Sequence, residues 1–478
     1  MIYLAAIFVC LVGGAAALVT RSDKSRPLIL PVVGAVHFAL AINIIWGSPV
    51  APSYGILHID PPGKIVLLVV SLLFLAISFY AVGYLRYRLS RSNRVLCFCM
   101  LMLLGAMTLV ICTDHLGVMW IAMEATTLSS APLVYFNRTR LSLEATWKFL
   151  LICSVGIAMA LLGSFLIAYS ALIRGLTPSM SIPSLIQQAP HLDIVWLRAG
   201  FVFLLVGYGT KMGLAPMHTW KPDTYGEAPG MVGAFMSGGL TSCAFLLLIR
   251  VQRILAAGGQ GPWTRHLLIF MGLLSMLFAA VFMLGQRDIK RLLAYSSVEH
   301  MGILALGLGI GGIALIGALL HVINNGLTKG VLFLSAGNIH RAYESKSIPE
   351  VSGAIRRLPV SGTLFLLGFI AITGSPPFGP FVSEFMILNG SIARGHYFAA
   401  VAFLLLLFII FLGMGRTVLT AVHGRPSVAA RHTPYQDNIW TAAPIVATLL
   451  LVLIIGLFIP APLANVLQQA GTYMGVKP

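Results

Sequence analysis

Gly207-Tyr-Gly-Thr-Lys211-Met-Gly-Leu-Ala-Pro216-Met-His218-Thr-Trp220-Lys221-Pro222 puts a lysine inside an apolar run that begins at Val195. Five residues after the lysine, Pro216 removes a backbone donor and breaks the helix that the run predicts. An ammonium at membrane depth costs roughly 2.5 to 3.5 kcal/mol on insertion scales, so Lys211 is expected to face protein or water and to have a partner. Interrupted helices that carry buried charge are what ion pathways in membranes are built from.

The rest of the chain fits that setting. Of 478 residues, 58% are hydrophobic and only 9% charged, against roughly 25% charged in a soluble domain. This composition predicts an all-α, polytopic membrane protein, with no polar interval between apolar runs longer than a loop. The net charge of +17 suits nucleic acid binding only if the charges cluster on a soluble surface, and positive cytoplasmic loops give the same sum. Cys10, Cys97, Cys99, Cys112, Cys153 and Cys243 lie in apolar runs without C-x2-C spacing. They read as small core hydrophobes rather than as ligands of zinc or iron-sulfur clusters, or as disulfide partners. Residues 1–20 lack a basic leader and a small-residue cleavage site, so they read as a first transmembrane helix rather than a signal peptide.

Apolar runs of about twenty residues give fourteen expected spans: 1–20, 28–46, 63–85, 95–113, 116–136, 147–173, 195–220, 228–250, 266–286, 293–310, 313–337, 359–390, 396–416 and 440–460. Most lysines and arginines follow odd-numbered spans, among them Arg26, Arg88, Lys148, Lys221, Lys290, Arg291, Lys346, Arg425 and Arg431. The opposite side has few, among them Lys64, Arg250, Arg253 and Lys477. Read as topology signals, these charges place the odd loops in the cytoplasm and both termini outside a prokaryotic cell (inner) membrane, and they remove the case for nucleic acid. The seventh span is broken at Pro216 and the twelfth at Gly374-Ser-Pro376-Pro377-Phe-Gly-Pro380. Breaks five spans apart predict two inverted five-helix repeats, 91–252 and 262–417, after three N-terminal helices (1–90) and before a cytoplasmic loop with a fourteenth helix (418–478).

Several ionisable groups fall inside spans. Glu124 lies mid-span in helix five, Glu299-His300 in helix ten and Glu384 in helix twelve, while Lys211 and Lys329 are the cations away from span ends. Two ammoniums and the carboxylates are expected to pair. Lys211 ends the first half of its broken helix and Glu384 is expected in the first turn of a second half, each suited to its dipole end. His321, Asn325 and Lys329 recur at i, i+4 and i+8, with Asn324 adjacent, a polar stripe suited to proton transfer. For His218, His300 and His321, a satisfied place in the core is the competing reading.

Four segments carry a family resemblance: Lys211-Met-Gly-Leu-Ala-Pro-Met-His-Thr-Trp-Lys-Pro-Asp223 with Glu227-Ala-Pro229, Asp288 to Gly302 (Asp-Ile-Lys-Arg-Leu-Leu-Ala-Tyr-Ser-Ser-Val-Glu-His-Met-Gly), Leu327-Thr-Lys329-Gly to Gly337, and Gly374-Ser-Pro-Pro-Phe-Gly-Pro-Phe-Val-Ser-Glu384. Over about residues 90–420 the chain resembles the antiporter-like membrane subunits of respiratory complex I, Mrp antiporters and group 4 hydrogenases. Ser-Val-Glu-His-Met-Gly, Gly-Ser-Pro-Pro-Phe-Gly and Arg140-Leu-Ser-Leu-Glu144 look most like the F-type membrane component of hydrogenase-4. The resemblance implies that Glu124 pairs with Lys211 and tunes its proton affinity, and that Lys329 and Glu384 are central and exit proton carriers, with His321 upstream of Lys329. It also implies that Ser242 and Asn325 stand where relatives carry a helix-eight lysine and a second helix-eleven histidine. Neither titrates, so water has to bridge those steps. The chain stops about eighteen residues after its last span, without the long lateral helix found in one of the complex I relatives.

Three functions follow. The first is a proton- or cation-translocating subunit of a redox-driven complex of the hydrogenase-4, formate hydrogenlyase or NADH:quinone oxidoreductase type, with other membrane-arm subunits and a nickel-iron hydrogenase-like or complex I-like redox arm as partners. The second is a cation/proton antiporter unit of a Mrp-like assembly, moving protons or Na+. The third is a structural membrane-arm subunit, which Ser242 and Asn325 favour. In all three the chain has lipids around it and no cofactor or metal of its own, since it lacks cysteine clusters and a Gly-rich nucleotide motif.

Overall fold

The structure, a computed structural model, describes residues 1–47, 56–86, 91–424 and 433–476. Its helices are α1 (Ile2–Val19), α2 (Ile29–Trp46), α3 (Pro61–Arg86), α4 (Arg94–Ile111), α5 (Leu116–Val134), α6 (Arg140–Leu172), α7 (Ile182–Gln188), α8 (Ile194–Met212), α9 (Trp220–Glu227), α10 (Gly230–Phe235) and α11 (Thr241–Ala257). They continue as α12 (Gly261–Met283), α13 (Ile289–Ile310), α14 (Ile313–Tyr343), α15 (Ile348–Val351), α16 (Ala354–Arg357), α17 (Pro359–Ile372), α18 (Gly379–Ala393), α19 (Tyr397–His423), α20 (Ile439–Leu457) and α21 (Ala461–Tyr473). Among the described residues, twelve helical stretches are long and apolar enough to cross a membrane. The less apolar α5 and the interrupted α17/α18 pair occupy the other two expected spans. The chain is an all-α, multi-span membrane protein.

Local chemistry sets the helix ends. Asp193 accepts from the Val195 and Trp196 amides to start α8, and Asp288 does the same for Lys290 and Arg291 at the start of α13. Thr139 and Ser142 cap α6 reciprocally, which starts it at Arg140, seven residues before the expected 147. The eighth span is continuous, but Met236–Leu240 is a turn of π-helix between α10 and α11, placed at Gly238-Gly239.

Helices adjacent in sequence pack on one another in two stretches of the chain. α4 packs on α5, α5 on α6 and α6 on the broken α8; later α12 packs on α13, α13 on α14 and α14 on the broken α17/α18. Small residues allow the closest approaches: a Cβ on Gly200 would come within 2.9 Å of the Gly163 carbonyl, so α6 and α8 touch backbone to backbone. The helices richest in buried residues are α10, α11, α13 and α14, whereas α1, α6, α12 and α20 expose apolar faces.

Several expectations need correction. α21 lies beyond the last expected span, with Leu463, Val466, Leu467 and Ala470 turned inward against α3 and α14 and Gln468 and Gln469 outward. Charges read as loop topology signals are interior: Arg26, Lys221, Arg250 and Lys290 are each at most 2% exposed. Arg250 pairs bidentately with Asp60 at 2.9 Å through both contacts and donates to the Val110, Ile111 and Thr113 carbonyls. Arg88, Arg425, Arg431 and Lys477 lie outside the described residues.

Candidate functional site: a buried polar axis

At the first break, α8 stops because Gly213 adopts a left-handed conformation (φ +76°), and residues 213–219 run without α-helix to α9, through a cis Ala215-Pro216 bond. The freed backbone groups find partners. The Trp220 indole donates to the Thr210 carbonyl at 2.9 Å, and the Ala215 amide donates to Ser275 Oγ on α12 at 2.9 Å. Lys211 lies in the last turn of α8, as the sequence implies, fully buried, with Nζ 5.1 Å from the Phe149 ring centre and no hydrogen-bond partner.

Glu124 does not form an ion pair with Lys211 in this conformation. Its carboxylate accepts from Thr127 Oγ1 at 3.0 Å and Ser154 Oγ at 2.9 Å, while α6 presents Phe149 to the lysine. The two charges remain within electrostatic reach. His218 is not part of this group; it is buried among the rings of Phe278, Phe282 and Tyr295, at 5.5, 6.4 and 6.3 Å between centroids. Ser242, just after the π-turn, donates to the Gly238 carbonyl at 2.6 Å.

The second half is more connected. Lys329 on α14 donates to Ser296 Oγ at 2.6 Å, and Ser296 donates to the Glu299 carboxylate at 3.4 Å. Glu299 lies 3.7 Å from His300 Nε2, His300 Nδ1 is 2.9 Å from His321 Nε2, and His321 Nδ1 is 2.9 Å from Ser383 Oγ on α18. Asn324 adds contacts to the Gly379 carbonyl (2.7 Å) and Ser383 (3.3 Å), whereas neither amide atom of Asn325 has a partner. All of these side chains are buried. The acid next to Lys329 is therefore Glu299, through Ser296, and not Glu384.

Glu384 sits six positions into α18, so it lies in the second helical turn rather than the first, and the amide dipoles reach it less. Its place is set by the second break, where Pro376-Pro377 is cis, Gly374 is left-handed (φ +65°) and Pro380 falls in the first turn of α18. The Glu384 carboxylate lies where a side chain on Gly374 would have to go. His300, His321 and Glu384 bring one possible ligand atom each within 4.8 Å of one another, a donor set that also suits a cation. Two features disfavour that use: the imidazoles already bond each other, and Lys329 acts on both electrostatically.

Three features escaped the sequence reading. Lys221 is fully buried, with Nζ 3.0 Å from Ser297 Oγ. Asn338, further along α14, accepts from Tyr80 and Tyr435 at 2.8 Å each and donates to Ser361, which bonds Asp437 at 2.5 Å. Asn338 lies nine residues past Lys329 on α14, about half a turn round the helix from the polar stripe, so the stripe gives no hint of it. His37 is buried between Thr108 Oγ1 (2.9 Å) and Ser71 Oγ (3.1 Å), and its sequence context carries no such hint.

Residues 113–410 match the model of the NADH:quinone oxidoreductase/Mrp antiporter transmembrane family. The chain belongs to that family. Among members of the NADH:quinone oxidoreductase/Mrp antiporter family, it is similar to the hydrogenase-4 component F homolog of Methylacidiphilum infernorum, 42% identical over 302 residues, 62% of this chain and 63% of that protein. It is also similar to NADH-quinone oxidoreductase subunit N of Desulforudis audaxviator, 31% identical over 381 residues, 77% of this chain and 74% of that protein. In fold it is similar to a chain of the archaeal membrane-bound sulfane sulfur reductase, with a TM-score of 0.88, 21% identity and 99% and 98% of the two chains covered.

Proposed function

We propose that the chain is a proton- or cation-translocating membrane subunit of a redox-driven complex of the hydrogenase-4 or NADH:quinone oxidoreductase type. The observation that carries this reading is the buried run Lys329, Ser296, Glu299, His300, His321, Ser383, in which each group lies within 3.7 Å of the next. Lysine, carboxylate and imidazole each hold or release a proton, and the hydroxyls pass one by accepting on one side and donating on the other. Gratuitous charge is costly at this depth, which favours a function for the buried lysines and acids.

The drive comes from the first half. Closing and opening of the Glu124/Lys211 pair changes the field at the axis and biases proton occupancy of Lys329. Redox chemistry resides in partner subunits, a nickel-iron or complex I-like arm, and this chain supplies no redox centre. The repeated order of neighbouring helices, with an interruption in each set, supports two five-helix units at 91–252 and 262–417 as inverted repeats. The basic loops support a prokaryotic inner membrane location with both termini outside.

Electron-driven proton uptake by membrane vesicles holding the assembled complex tests the reading. Lys211→Ala and Glu124→Gln should each cut uptake with normal assembly, and unchanged uptake in both rejects a path through this subunit. The alternative of cation/proton antiport, which the family's Mrp members support, predicts uptake driven by an imposed Na+ gradient without an electron donor.

A further inference from the structure

We propose that Lys221 is a proton carrier that joins the Lys211 half of the axis to the Lys329 half. This rests on the reading of the chain as a translocating subunit and adds a residue to it.

The two helix breaks are built alike. Each has a left-handed glycine at the end of its first helix, Gly213 and Gly374, followed by a cis X-Pro bond. In each, a charged side chain from the segment beyond the break lies against that glycine, where a Cβ would collide with it: Lys221 at Gly213 and Glu384 at Gly374. Lys221 thus holds, in the first half, the position that the acid Glu384 holds in the second. Its alkyl chain and Nζ touch the cap of the helix whose last turn carries Lys211. Its ammonium reaches across to α13, 3.0 Å from Ser297 Oγ and 3.5 Å from the Ser297 carbonyl. The neighbouring hydroxyl on α13, Ser296, holds Lys329 at 2.6 Å.

A purely structural role explains this poorly. Lys221 is fully buried without an ion pair among the described residues, and the Tyr225 ring lies 6.0 Å from its Nζ. Burying a charge on so little compensation is costly, and an apolar residue of the same length avoids that cost. Two ammoniums held by adjacent serines also repel, so a proton gained by one favours release by the other. Ser242 cannot take this part, because its hydroxyl neither titrates nor is free of Gly238. In one transfer, neutral Lys221 accepts a proton from the Lys211 side and the resulting ammonium gives one to the Ser297 end. One proton then reaches neutral Lys329 through hydroxyls and water, each of which gains one proton and loses one.

The test uses the assembled complex in proteoliposomes, with donor-driven proton uptake read by a pH-sensitive dye. Lys221→Met should lower uptake at least tenfold, and Lys329→Ala should do the same. Lys221→Arg should fail equally, because a guanidinium keeps its charge but does not release a proton. Retained uptake in Lys221→Arg means that only a fixed charge is needed and overturns the carrier role. Wild-type uptake in Lys221→Met alongside a dead Lys329→Ala also overturns it and leaves the translocating function standing, whereas wild-type uptake in both removes the function itself. Should Lys221→Met fail to assemble, Ser297→Ala keeps the lysine and decides: a several-fold loss supports the connection, and no loss overturns it.

Discussion

Replacing Asp60 by alanine strands the Arg250 guanidinium in the interior. Arg250 is 2% exposed and makes two contacts of 2.9 Å to the Asp60 carboxylate, plus three to the carbonyls of Val110, Ile111 and Thr113. The carbonyls still satisfy donors in the variant, but the counter-charge is gone. Breaking one side of a buried pair typically costs about 3 to 5 kcal/mol. The carbonyls offset part of that, so we expect a loss near the lower end, ~3 kcal/mol, in equilibrium unfolding in mixed micelles. A double variant, Asp60→Leu with Arg250→Met, should recover most of it, because the cost lies in the orphaned charge more than in the lost bond. The pair also has a pH signature. Burial alone pushes the Asp60 carboxyl up, but the charge and hydrogen bonds of Arg250, helped by the Gly63 amide, outweigh it and hold the group below its ordinary 3.8. A lowered folded value means that the contribution is complete above about pH 5 and disappears as the pH falls through that value. A single variant within about 0.5 kcal/mol of wild type, or a double variant as unstable as the single ones, refutes the reasoning.

Other outcomes follow from the same geometry. Ser296→Ala removes the hydroxyl between Lys329 and Glu299 and should slow donor-driven proton uptake several-fold without loss of assembly, as measured in vesicles. His321→Ala, which cuts the step between His300 and Ser383, should slow it more, whereas His218→Phe should leave it near wild type, since His218 sits among rings and stands in none of those steps. Gly213→Ala combines a left-handed backbone with a collision against Lys221, and thermal melting should show a loss of at least about 1 kcal/mol.

The spans are legible because a bilayer leaves few options: runs of twenty apolar residues have to be helices; the two breaks are legible where proline stands near glycine, whereas Pro132 and Pro444 alone leave α5 and α20 unbroken. Lys211 at its helix end and the α14 stripe were legible for the same reason. Lys221 was not, since a lysine just past a proline-broken span reads as a loop charge, and only the return of residues 213–229 into the bundle buries it. Arg250 was misread likewise, because its acid lies 190 residues away. α21 is not among the expected spans because thirteen residues with one apolar stripe fall short of a span, although the i, i+3, i+4, i+7 pattern is present. Asp288 and Thr139 set helix starts by side-chain bonds that hydropathy does not register.

The backbone contact between α6 and α8 limits how the first half can move. Gly163 and Gly200 leave no side chain between α6 and α8, and a rearrangement that kept this contact would hold Lys211 and Ser154 at a fixed spacing. In such a rearrangement the moving part would be the Glu124 side chain, swinging away from Ser154 on α6 and Thr127 on its own helix toward the lysine. Giving up two hydrogen bonds to a carboxylate, worth about 1.5 to 3 kcal/mol each, would set a latch on that swing.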